Sequence, residues 1–221
     1  MNYAIILAGG KGQRMESDRP KQFMLLQGRP VIVYSIDCFL RFQKDIQLII
    51  VHPSEFEQEI RLMLNKYFPS NNFKFIEGGD TRFQSVKQGL KCVEKEGIVF
   101  IHDAARPFID SHLLNRCLEQ ALHHGNAIPA IRVKDSLRKT HRKGSEAVDR
   151  NLFLVIQTPQ TFQYNILQKS FEQTESTSFT DDASVIEKAG YTIHIVEGLE
   201  KNIKITTPFD WLLAACIVHE N

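Results

Sequence analysis

Short apolar runs and longer amphipathic stretches alternate along the chain. Residues 3–7 and 98–101 are unbroken apolar runs, 46–51 is apolar but for Gln47, and 73–76 is a shorter run of the same kind. Runs of four to six such residues predict strands covered on both faces. Between them the spacing turns helical. Pro30 opens the stretch PVIVYSIDCFLRF, as suits a helix start. Ser54 and Glu57 stand at capping-box spacing ahead of a helix through Tyr67, and 82–95 predicts another. Asp110 is placed to cap a helix in which Leu113, Leu114, Cys117, Leu118, Ala121 and Leu122 keep one face apolar. A helix near 181–189, a strand near 192–196 and the stretch 202–206 follow. Thr207, Pro208 and Asp210 then supply the cap, first-turn proline and N-terminal acid of a last helix. This alternation predicts one α/β, Rossmann-like domain over residues 1–221, with a mostly parallel twisted sheet and helices on both faces. Ligands of such sheets gather beyond the carboxyl ends of the strands. The loops after Leu7, Ile76 and Ile101 carry the glycines, acids and polar residues expected there.

One segment breaks the rhythm. At about 132–153, apolar positions flank a very polar centre, RKTHRKGSE, which reads as two strands turning near Lys143 and Gly144. It is too polar for a core, and a projecting hairpin is marginal alone. The arm is therefore expected to rest on a second subunit, in a homodimer, the other reading being a loose surface insertion.

Composition narrows the class without naming it. The net charge of +1 gives no support for a broad nucleic-acid surface. The four cysteines, Cys38, Cys92, Cys117 and Cys216, have neither metal-type nor CxxC spacing, so reduced structural thiols are expected. The N-terminus runs straight into a strand, and no apolar run reaches membrane-spanning length. The expectation is a cytoplasmic protein that binds neither membrane nor nucleic acid.

Local charge is more telling. Residues 11–21 hold four cations (Lys11, Arg14, Arg19, Lys21) against two acids, in a loop with glycines at 9, 10 and 12. Glycines let backbone N–H groups approach a ligand, and clustered cations attract polyphosphate. A Walker loop would need Ser or Thr after Lys11, where Gly12 stands. A dinucleotide fingerprint would need glycine at Met15.

The stretch LAGGKGQRM, continued by PKQF, resembles the N-terminal signature of sugar- and alditol-phosphate nucleotidyltransferases. Five later stretches are GGDTRFQSVKQGL (78–90), HDAARPF (102–108), VDRNLFLVIQTPQTF (148–162), TDDASVIEKAG (180–190) and NIKITTPFD (202–210). In order and at natural spacing, these resemble the 2-C-methyl-D-erythritol 4-phosphate cytidylyltransferase family. The sister ribitol-5-phosphate cytidylyltransferases resemble the chain at both ends, but Ala104-Ala105, Ser85-Val86 and Asp182-Ala183-Ser184 favour the methylerythritol branch.

The resemblance implies CMP transfer from CTP to a sugar-alcohol phosphate, with Mg²⁺. It assigns Arg14, Lys21 and Lys204 to the reacting phosphates. Ala8, Gly9, Gly10, Gly12, Gly79, Asp80, Ser85 and Ala104 would hold the nucleotide. Asp103, Ser136, Arg150 and Thr180 would hold the acceptor, with Asp103 also the metal carboxylate. Arg150 and Ser136 lie on the arm and would reach the neighbouring subunit's site. Ser136 departs from the family's usual threonine but keeps the hydroxyl. Asp103 could instead pair with Arg106 or cap a helix, and His102 reads as a structural neighbour. A non-catalytic CTP-binding regulatory module is a second reading, and a dehydrogenase a distant third.

Overall fold

The computed structural model describes residues 1–9 and 20–219. In chain order the elements are β1 (Asn2–Leu7), β2 (Leu25–Leu26), β3 (Arg29–Pro30), α1 (Val31–Phe42), β4 (Gln47–His52), α2 (Glu57–Tyr67), β5 (Lys74–Glu77), α3 (Arg82–Leu90), β6 (Ile98–Asp103) and α4 (Ser111–His124). The chain continues through β7 (Asn126–Arg132), β8 (Leu137–His141), β9 (Gly144–Val148), β10 (Leu154–Ile156), β11 (Gln160–Gln163), α5 (Tyr164–Ser170), α6 (Asp182–Lys188), β12 (Ile195–Glu197) and α7 (Pro208–His219).

The main sheet has eight strands, in the order β10-β7-β11-β6-β1-β4-β5 with β12 also on β7. The β6-β1-β4-β5 half is parallel throughout. It sorts its side chains by the two-residue period of a strand. Ala4, Ile6, Leu48, Ile50, Ile98 and Phe100 face one core with α1, α2 and α4. Tyr3, Ile5, Ile49, Val51, Val99 and Ile101 face the other with α3, α5 and α6. Helices thus cover both faces, as the alternation predicted. Each fully buried Ile or Leu contributes about 2 kcal/mol by leaving water, which is why these runs carry almost no polar residue.

The other half of the sheet was less visible in the sequence. β11 runs antiparallel to both β6 and β7, β10 runs antiparallel to β7, and β12 runs parallel to β7. Other expectations are corrected in detail. Ser54 and Glu57 do not form a capping box: Pro53 leads into a 3₁₀ turn over Ser54–Phe56, and α2 starts at Glu57 without a side-chain cap. α3 ends at Leu90 rather than 95. Gly89 lies so close to β1 that an added Cβ would come within 2.8 Å of Ile5, and the chain then turns to bury Val93. The strand expected near 192–196 is Ile195–Glu197, and 202–206 joins no ladder. Asp110 does cap α4, accepting from Leu113 N–H at 2.9 Å.

All four cysteines are free, and Cys117 is buried in the core. Cys92 sits in the turn after α3 rather than in a helix. Burial pushes the Cys38 and Cys117 thiols up to about 12, so neither is a thiolate near neutrality. β8 and β9 form a separate two-stranded ladder, nearly all exposed, so the two strands and turn expected within 132–153 are present over 137–148.

Candidate active site at the carboxyl edge of the parallel strands

The parallel strands end in register, with Leu7 opposite both Val51 and Asp103 and His52 opposite Glu77. Backbone bonds bind the loops beyond them: Ala104 N–H donates to Leu7 O at 3.0 Å, Ala8 N–H to Val51 O at 2.8 Å, and Gly78 N–H to His52 O at 2.9 Å. Gln22 donates through Nε2 to Ala8 O at 2.5 Å, and Phe23 is buried in the core. These two anchors bring the short turn Lys21–Phe23 to the same edge and leave Lys21 nearly buried there. Arg14, Gly10 and Gly12 lie outside the described residues.

Gly79, Asp80 and Ser85 form one closed turn at the start of α3. Ser85 Oγ accepts from Gly79 N–H at 3.2 Å and lies 3.3 Å from Gly79 O, to which it donates. Asp80 N–H donates to Gln84 Oε1 at 3.0 Å. An added Cβ on Gly79 would fall 2.3 Å from Gln84 Cβ, so this turn needs glycine. The Ser85 hydroxyl is therefore spent on shaping the loop.

The chemically dense point is Asp103, at the end of β6. Lys204 Nζ lies 2.8 Å from its Oδ2, Arg106 Nε 3.6 Å from the same oxygen, and Arg82 Nε 3.8 Å from Oδ1. Burial alone would raise its pKa, yet Arg82 and Lys204 more than offset that and hold the carboxyl far below the usual carboxylate range. Pairing with Arg106, open at the level of sequence, is thus one of three contacts. Arg106 is itself held by Asn202 O at 2.8 Å, and Asn202 Nδ2 donates to Thr158 O at 2.8 Å. Sequence reasoning missed Arg82, Thr158 and Asn202. Their signal was present only as membership of the motifs at 78–90, 148–162 and 202–210.

His102 is structural, as expected. Its Nε2 lies 2.9 Å from Arg106 O, which can only accept, so Nε2 carries the proton. Nδ1 then accepts from the Thr158 hydroxyl at 3.1 Å, and Thr158 Oγ1 accepts from Asp103 N–H at 3.1 Å. A protonated ring would break this chain, and burial pushes its pKa down to about 4. Below about 6.5 the unfolded chain takes up a proton that the folded one refuses. Folding stability should therefore fall by about 2 kcal/mol between pH 7 and pH 5 through this group. Asp103 loses its contribution only below about pH 4, outside that window. Urea melts at pH 7 and pH 5 check this: His102→Gln should flatten the slope, and an unchanged slope refutes it.

The structure brings Lys21, Asp103, Ala104 and Lys204 to one edge, with the Gly79–Ser85 turn beside them. Thr180 is exposed just before the α6 cap, its N–H on Ser184 Oγ at 3.1 Å. Asp182, two residues on, joins the cluster: it grips Arg82 through two hydrogen bonds of 2.5 and 2.7 Å. Ser136 and Arg150 are not brought in. Arg150 donates to the Lys134 carbonyl and, with Arg132 and Lys134, lines a separate cavity of about 310 Å³. Among the described residues no three His, Cys, Asp or Glu stand together to hold a metal, and no helix is long and apolar enough to cross a membrane.

Residues 2–220 match the family described as IspD: 2-C-methyl-D-erythritol 4-phosphate cytidylyltransferase. A protein of that description from Bacteroides fragilis is 41% identical over 215 residues, covering 97% of this chain and 98% of its own. One from Geobacillus kaustophilus is 38% identical over 226 residues, covering 99% and 97%. The crystal structure of 4-diphosphocytidyl-2C-methyl-D-erythritol synthase from Anaerococcus prevotii matches with a TM-score of 0.85 at 27% identity, covering 99% of this chain and 96% of that one. With its carboxylate–cation cluster at the carboxyl edge of an α/β sheet, the chain belongs to the 2-C-methyl-D-erythritol 4-phosphate cytidylyltransferase family.

Proposed function

We propose that the chain transfers the CMP group of CTP to 2-C-methyl-D-erythritol 4-phosphate, releasing pyrophosphate, as a step of non-mevalonate isoprenoid synthesis. The observation that carries this reading is the cluster of Lys204, Arg106 and Arg82 around Asp103, in a chain that matches the family from end to end.

The acceptor phosphate has its second pKa near about 6, so it is largely dianionic at pH 7 and attacks the α-phosphorus without a protein base. The obstacle is repulsion between anions, about 4 kcal/mol for two unit charges at 4 Å and an effective dielectric near 20. Cations fixed in advance offset it most as charge builds in the transition state. Lys204 and Arg106 receive the acceptor phosphate beside Asp103. Lys21 and Arg14 hold the triphosphate, and the Gly79–Ser85 turn with the backbone at Ala8, Gly9 and Ala104 holds the nucleoside. Thr180 serves the acceptor from the α6 side.

A single carboxylate at a strand end suits Mg²⁺, which takes one or two carboxylates and completes its shell with phosphate oxygens and water. Asp103 is the carboxylate that would face it, and with Lys204, Arg106 and Arg82 already around that group most of the ion's shell would come from phosphate oxygens and water; the ion would neutralise triphosphate charge. The arm at 132–153 supports a homodimer in which Ser136 and Arg150 serve the neighbouring site. Four free thiols and a CTP-consuming reaction suit the cytoplasm.

Pyrophosphate release with CTP, Mg²⁺ and each acceptor in turn tests the reading. Turnover should require the methylerythritol phosphate. Turnover with ribitol 5-phosphate alone would assign the sister activity, and tight CTP binding without product from either would make this a regulatory module.

A further inference from the structure

We propose that the buried pair Arg82–Asp182 is a positioning device for Asp103, aligning the acceptor side of the site rather than stapling the fold. This rests on the proposed cytidylyl transfer. Asp182 uses both carboxylate oxygens on the two terminal nitrogens of Arg82, at 2.5 and 2.7 Å. Only the Nε edge of the guanidinium is left to face Asp103 Oδ1, at 3.8 Å. The opposite oxygen, Oδ2, then faces Lys204 and Arg106. A row of alternating charges results, Asp182–Arg82–Asp103–Lys204, in which each group fixes the next.

As a staple the pair is one contact among several. Beside it, Phe83 stacks on Phe171 at 4.8 Å between centroids and on Phe179 at 5.7 Å, and Gln84 donates to Glu175 at 3.0 Å. These contacts already join α3 to the segment before α6. An intact buried ion pair is also a poor source of net stability, because desolvation offsets the attraction, although removing one partner alone strands the other's charge and lowers the melting temperature. Its distinct consequence is local. With Asp182 neutral, Arg82 loses its counter-charge and draws on Asp103, pulling the carboxylate away from Lys204. Lys204 then lacks its fixed point beside the incoming acceptor phosphate. The segment carrying Thr180 keeps its aromatic and Gln84–Glu175 ties to α3, and the Gly79–Ser85 turn keeps its own hydrogen bonds, so the disturbance stays at Asp103.

The test is steady-state kinetics and acceptor binding on the full-length protein, with thermal melts alongside. Asp182→Asn, nearly isosteric, should lower kcat/KM for the acceptor by about 10- to 100-fold, the usual effect of losing a group that orients a charged ligand. The KM for CTP should move less than about threefold, the split expected when only one substrate's site is disturbed. The exchange Arg82→Asp with Asp182→Arg should regain the melting temperature without turnover, since it sets a carboxylate against Asp103. Restored turnover in the exchange, or equal rises in both KM values for Asp182→Asn, would overturn the proposal. If the exchange does not fold, the KM split in Asp182→Asn decides. A wild-type protein that binds neither substrate would instead overturn the cytidylyl-transfer reading and this proposal with it.

Discussion

Replacing Lys204 with alanine should cut kcat/KM for the acceptor by about 10²- to 10³-fold, the usual result of deleting one pre-aimed donor from a charged transition state. Stability should hardly change. The Lys204 side chain is 41% exposed, so its pair with Asp103 is screened and contributes less than about 1 kcal/mol to folding. Removing it does not strand the carboxylate, because Arg106 and Arg82 still flank both oxygens. Lys204→Arg should recover only part of the loss: charge returns, but a broad planar fork replaces a compact ammonium 2.8 Å from the carboxylate. Pyrophosphate-release kinetics with parallel thermal melts check both. Near-wild-type turnover in the alanine variant would remove Lys204 from the reaction, and a large drop in melting temperature would make it structural.

The contrast between Lys204 and Arg82 shows what the sequence made legible. Local signals worked where physics is local. The apolar runs at 3–7, 46–51 and 98–101 became β1, β4 and β6, and Asp110 capped α4 as its side chain requires. Asp103 was marked by its place at the end of a buried strand, where a lone carboxylate is costly. What gathered around it was not legible, because Arg82 and Asp182 are 100 residues apart and only the closed fold brings them within 2.5 Å. β11 was hidden for a related reason. Gln160 and Thr161 are polar yet buried, and Gln160 spends its amide on Asp181 and Ala183 N–H, so no apolar pattern betrays the strand. The box at Ser54 and Glu57 failed from the opposite cause. The spacing was right, but Pro53 set the chain into a 3₁₀ turn first.

Mixing two impaired variants should restore activity at subsaturating acceptor if the arm serves a neighbouring site. Within one chain, no contact among the described residues joins Arg150 or Ser136 to Asp103, and Arg150 instead donates to the Lys134 carbonyl. The arm is exposed on both sides, and its base presents Leu152 at 79% exposure with Leu154 and Val155 near half. A two-stranded ladder with such a base is marginal alone and suits a twofold contact. Arg150→Ala should raise the acceptor KM well above any change for CTP, since a guanidinium fork binds phosphate oxygens in pairs. When Arg150→Ala chains are refolded with Lys204→Ala chains, half of the dimers should be mixed. Each mixed dimer holds one site with both residues intact and one with neither. About a quarter of wild-type sites should then return, the share set by random pairing in a twofold dimer. Neither variant alone should approach that rate. Recovery no greater than the sum of the parents would place Arg150 in its own chain's site or outside the reaction. A monomer by light scattering would remove the neighbour altogether.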